Sequence, residues 1–166
     1  AEIVFSDLGD PDSIPNNGIA SEDDLDAVTI LPLCGGQAQM SIFNADDPGE
    51  GFNDPHPVTP IGGNSGTTLG DQRLIAFQYA AELWGEILNT DVEIVIEANF
   101  DPLHCTSSSG VLGAAGPKSV ARDFDGADHV STWYHISLAN TIYGEDLNGL
   151  DRAEVLATFN SSVDSN

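Results

Sequence analysis

The chain has 166 residues, 40% of them apolar, and sets 27 Asp and Glu against only 4 Lys and Arg. So negative a surface repels nucleic-acid phosphates and anionic lipid head groups, which makes both poor partners. No apolar run approaches the roughly eighteen residues a membrane-spanning helix needs, so the composition is that of a soluble chain able to bury one sizeable core. The acidity suits high-salt water, where screening cuts the reach of self-repulsion to under about 10 Å. It also suits divalent cations, which collect where carboxylates converge.

Ala1 is followed directly by Glu2-Ile3-Val4-Phe5, a start that reads as the mature end left by removal of an export signal. The expected location is therefore secreted or on the cell surface. Residues 1–40 alternate short apolar runs (Ile3 to Phe5, Ala27 to Leu33) with acidic turns, and form an N-terminal segment with short strands. Residues 41–166 form the main body, packed with that segment as one unit. Gln39 to Phe43 is a strand candidate. The stretch from Ala45 to Gly66 is loop, unusually long for a compact domain, and its own packing or a bound cation must pin it.

A helix is expected from Thr68 to Leu88. Thr68-Leu69-Gly70-Asp71 resembles a capping box with Asp in the Glu position. Leu74, Phe77, Ala81, Trp84 and Leu88 then fall at alternating three- and four-residue spacing on one face. Val92, Ile94, Ile96 and Ala98 alternate with Glu93, Val95 and Glu97 as a half-buried strand, ended by Asn99-Phe100-Asp101-Pro102. Outward-facing Glu93 and Glu97 discourage edge-to-edge pairing. Thr106 to Gly116 reads as a small-residue loop, with Val111-Leu112 a short edge strand. A second helix is expected from Thr132 to Tyr143, stopped by Gly144, and Val155 to Phe159 as a closing strand. The fold class is α+β: a mixed or antiparallel sheet with two main helices.

Three oxygen-rich loops are calcium candidates. Asp123, Asp125 and Asp128, and likewise Asp146, Asn148 and Asp151, spell D-x-[DN]-G-x-D. Calcium loops need oxygens at alternate positions and a Gly for the tight turn, but neither stretch meets the full EF-hand spacing. An Asx turn capped by its own carboxylates explains the same spelling. Asp46, Asp47, Glu50 and Asp54, with Asn53, make the third loop. His56, His104, His129 and His135 lack the spacing that would put two on one helical face, so no zinc site is identified. Gly63-Asn64-Ser65-Gly66 lacks the nucleophile-elbow pattern. Two cysteines in an exported chain point to a Cys34–Cys105 disulfide, though each can pair elsewhere or stay free. Closing a loop of about 70 residues would stabilise the fold by roughly 4 kcal/mol in the chain-entropy model.

A longer signature runs through the main body. It comprises Pro48-Gly49-Glu50-Gly51-Phe52-Asn53-Asp54-Pro55, Gly62-Gly63-Asn64, Gly66-Thr67-Thr68-Leu69-Gly70 and Gln72-Arg73-Leu74. It continues through Ala80 to Gly85, Phe100-Asp101-Pro102-Leu103 with Cys105, Arg122-Asp123-Phe124, Thr132 to His135, Leu138-Ala139-Asn140 and Thr158 to Ser161. This resembles the N-terminal part of secreted bacterial zincin-like metallopeptidases that carry a protease-associated domain. The resemblance implies that Thr68–Leu88 is the first long zincin helix, Val92–Asn99 a strand behind it, and Val155–Ser161 the strand bordering the substrate cleft. The H-E-x-A-H zinc helix of such enzymes would lie beyond Asn166. No His-Glu pair occurs in this chain, so no zinc ligand or general base carries over. Cys105 matches a family cysteine whose partner is also expected beyond Asn166.

The sequence therefore gives a non-catalytic, calcium-binding domain that associates with another chain or with copies of itself, as a matrix or filament subunit. The alternative is the N-terminal piece of a zinc metallopeptidase. Half a zincin would leave sheet edges and apolar faces uncovered, which favours association.

Overall fold

The computed structural model describes residues 37–149 and 153–164. The expected strands at Ile3 to Phe5 and Ala27 to Leu33 lie outside them. The fold is α+β. A four-stranded mixed sheet has the order β1-β2-β6-β3, where β1 is Met40–Asn44, β2 Ile94–Asp101, β3 Gly113–Pro117 and β6 Val155–Asn160. β1, β2 and β6 run parallel, and β3 is antiparallel to β6. A small antiparallel hairpin pairs β4 (Val120–Ala121) with β5 (Tyr134–His135). The helices are α1 (Leu69–Ile87) and α2 (Ile136–Tyr143).

Parallel neighbours need a crossover, and α1 provides the one between β1 and β2. Its start is set by the reciprocal capping box: Asp71 donates its backbone N–H to the Thr68 hydroxyl, and Thr68 returns its own to the Asp71 carboxylate. Along β2, Ile94, Ile96 and Ala98 are buried, as the alternation requires. The register sets Ile96 beside Val155 and Ile42, Ala98 beside Ala157, and Phe100 beside Phe159. On this face sits the core cluster of Phe52, Ile96, Ala98 and Ala157, against which Met40, Ile42, Leu74 and Phe77 pack.

Phe52 is central to that cluster although it comes from the long loop. Its ring stacks on Phe77 of α1 at 5.9 Å between centroids and meets Phe100 and Phe159 edge-on at 5.1 and 6.1 Å. Phe77 and Phe159 also meet edge-on. Four rings from a loop, a helix and two strands thus close one aromatic knot, an arrangement that stabilises beyond the area it buries. Arg73 lies over the Phe100 ring at 4.4 Å and donates to the Gly51 carbonyl, so its charge caps the knot from the helix side.

Several expectations need correction. The strand expected to stop at Ala98 continues to Asp101, because Asn99, Phe100 and Asp101 pair with Thr158, Phe159 and Asn160. The edge strand is not Val111-Leu112 but Gly113–Pro117, a Gly-Ala-Ala-Gly-Pro run of poor strand propensity that pairing with β6 overrides. The second helix starts at Ile136 rather than Thr132, since Tyr134 and His135 are taken by the hairpin; Gly144 ends it in the left-handed conformation, φ 85°, as expected. The loop from Ala45 to Gly66 contains a 3-10 turn at Gly51–Asn53. Finally, the stripe on α1 is buried only in part: Leu74, Phe77 and Ala81 face the core, whereas Trp84 is 58% exposed. Gly85 explains this. A Cβ there would lie 2.6 Å from the Ala38 carbonyl oxygen, so the helix end approaches the chain leading into β1 through its glycine and the Trp84 ring is turned out.

Replacing Phe52 by Ala removes the ring on which the other three meet. We expect a loss of about 3–5 kcal/mol in denaturant-unfolding free energy, whereas an ordinary loop phenylalanine would lose under about 1 kcal/mol.

Candidate functional site

The acid-rich loops were the sequence's candidate sites, and each has a distinct geometry. In the first, Asp46 turns its carboxylate inward. One oxygen accepts the Phe52 N–H at 2.7 Å and the other accepts the Phe100 N–H at 2.7 Å. The loop is thereby fixed to the end of β2, with Phe52 carried into the core. Its backbone carbonyl accepts from Asn53, whose amide also bonds Asn44. A charged acceptor that satisfies two backbone donors makes stronger bonds than neutral pairs do. Gly51 is required beside it: φ is +53°, and a Cβ would fall 1.9 Å from the Asp46 carboxylate.

Asp54 is also engaged within the protein. It accepts the His56 N–H, lies 3.6 Å from Arg73, and its carbonyl accepts from Gly70, where a Cβ would clash with the Phe52 carbonyl at 2.5 Å. Asp47 and Glu50 are exposed. This loop is therefore pinned by its own packing, the first of the two ways the sequence left open.

In the second loop Asp123 takes a left-handed backbone, φ 55°, accepts the Ser131 N–H at 2.6 Å and pairs with Arg122. Asp125 and Asp128 are exposed, and Gly126 provides the turn at φ 88°. In the third, Asp146 accepts the N–H groups of Asn148 and Gly149, which is an Asx turn. Asn148 accepts from the Asn140 amide, while Asp151 lies outside the described residues. Cys34 does as well, so its pairing with Cys105 is not described; Cys105 is half-buried and bridges to Gly110. Among the described residues, no three His, Cys, Asp or Glu side chains converge closely enough to hold a metal ion.

Two features escaped the sequence reading. Glu154 is 2% exposed and Asn140 1% exposed. Glu154 accepts the Val95 N–H at 2.7 Å and faces the Asn140 amide at 3.5 Å, while Asn140 accepts from Leu147. This pair ties α2 to the start of β6 and hangs the third loop from the helix. Nothing in the local pattern marked Glu154, because its partners lie 14 and 59 positions away.

The second feature is the outer face of α1. Ala76, Ala80, Leu83 and Ile87 repeat at four, three and four residues and form a second apolar seam, turned about a third of a turn from the buried one and joined to it at Trp84. Leu83 is 44% and Ile87 63% exposed, with Tyr79 and Trp84 flanking on either side. The signal was present in the sequence, since the spacing matches that of the inner stripe.

Asp46→Ala removes both bonds at once. Loss of about 2–4 kcal/mol is expected, measured as unfolding free energy, and of equal size in chelator and in millimolar calcium. A loss confined to calcium-containing buffer would assign the carboxylate to an ion instead.

No protein-family model, no curated protein and no solved structure matches this chain, so the zincin-like resemblance gains no support from comparison.

Proposed function

We propose that this chain is an acidic binding module of the secreted or cell-surface compartment, non-catalytic as it stands, which works by associating with another protein. The observation that carries the reading is the outer face of α1, where a continuous apolar seam faces solvent on a chain that sets 27 acids against 4 bases. Solubility alone would favour charges at those positions. A helix apolar on both faces is the pattern of one packed on two sides, and a contiguous exposed apolar patch rimmed by polar groups marks an interaction surface. The seam lies on a helix held by its capping box, the aromatic knot and the close approach at Gly85, so its side chains are presented from an anchored base.

The test is binding of an uncharged hydrophobic fluorophore such as Nile red to the folded protein, since the protein's own negative charge would repel an anionic dye. Enhancement is expected in native buffer, reduced at least about threefold in a Leu83→Ser/Ile87→Ser double variant that retains the parent's far-UV circular dichroism. A folded parent protein silent to the dye would mean that the seam is already covered, and would overturn the reading.

A further inference from the structure

The outer seam of α1 has a charge pattern as well as an apolar one. At about 3.6 residues per turn, Ala76, Ala80, Leu83 and Ile87 define its centre line. Glu82 and Glu86, one turn apart and both exposed, lie beyond Tyr79 on one side. On the other side lie Trp84 and Arg73, the latter engaged with Gly51 and Asp54. The acids are thus confined to one flank, and the centre line carries no charge. Tyr79, Leu83, Trp84 and Ile87 are 62%, 44%, 58% and 63% exposed, and with the two exposed alanines they make one contiguous apolar patch of the kind that marks functional surfaces on monomers. A contact with one partner helix over this patch belongs to the small, transient class of interfaces.

A second copy of the chain fits this face poorly. Each copy carries a formal charge of −23. The chain has only 4 Lys and Arg in all, and among the described residues Arg73, Lys118 and Arg122 already face Asp54, Glu97 and Asp123, so a second copy offers little positive charge to meet Glu82 and Glu86. Resting on the reading of the chain as a binding module, we infer that the outer face of α1 docks a cationic amphipathic helix: apolar anchors at i, i+4, i+7 and i+11 on the seam, and a row of Lys or Arg along one flank meeting Glu82 and Glu86. Small Ala76 and Ala80 let the partner backbone approach at one end, and Leu83 and Ile87 fill the groove at the other. Opposite charge on one flank only also fixes which way round the partner lies.

The probe is a synthetic helical peptide of about 18 residues, with Leu at those four positions and Lys along one flank, titrated into the full chain by isothermal calorimetry. A peptide with Glu in place of Lys is the control. The Lys peptide is expected to bind and the Glu peptide not. Leu83→Ser/Ile87→Ser should weaken binding at least tenfold. Glu82→Gln/Glu86→Gln should weaken it about threefold or more at low salt, with the difference fading as salt screens the flank. Equal affinity for the parent and the Leu83/Ile87 variant would show that only the bulk charge attracts the peptide, and would overturn the proposal. A dimer in sedimentation equilibrium that the same variant dissociates would give the face to a second copy. That outcome overturns the cationic partner while leaving the binding-module reading standing, whereas a covered seam, silent to the hydrophobic dye, would remove both.

Discussion

The structure depends on one carboxylate. Asp46 accepts the backbone N–H of Phe52 with one oxygen and that of Phe100, 54 positions away, with the other. A long loop has no ladder of its own to satisfy its backbone groups, and its ordering entropy must be offset by something specific. Here a single charged group ties the loop to the strand end and at the same time sets Phe52 between α1 and the sheet. The requirements around it follow. Gly51 must leave room for the carboxylate, Gly70 for the Phe52 carbonyl, and Arg73 covers the ring of Phe100.

That anchoring accounts for how α1 can hold an apolar face to solvent. α1 carries two apolar seams, and the one with the larger side chains, Leu74 and Phe77, has more apolar area to bury. Phe52 on Phe77 and the close approach of Gly85 to Ala38 fix that setting. The seam of Leu74, Phe77 and Ala81 goes inward, and that of Ala76, Ala80, Leu83 and Ile87 is left outside. The fold fixes one face of the helix and leaves the other exposed, which is the observation the proposed binding role rests on.

Much of this was legible in the sequence where the signal is local. The capping box at Thr68, the alternation of Ile94, Ile96 and Ala98, and Gly144 as a helix stop all depend on near neighbours, and the structure has each of them. What was not legible depends on distant partners. Asp46 and Asp47 look alike in the chain, but only the first meets Phe100. Glu154 reads as one more acid in an acidic protein, but its backbone and side chain bridge to Val95 and Asn140. Gly113–Pro117 reads as loop because its residues lack strand propensity, and β6 recruits it anyway. The two seams of α1 were equally periodic, so spacing alone could not say which would be buried.

By holding Phe52 and Phe100 at once, Asp46 makes the loop and the sheet end one cooperative unit. Native-state amide hydrogen exchange at the Phe52 and Phe100 N–H groups tests it most directly. Both should exchange only through global unfolding, with the same free energy and the same denaturant dependence as the core amides of Ile96 and Ala98. Exchange of the Phe52 amide by a local opening, at a free energy several kcal/mol below theirs, would show that the loop comes away while the sheet stays folded, and would contradict it.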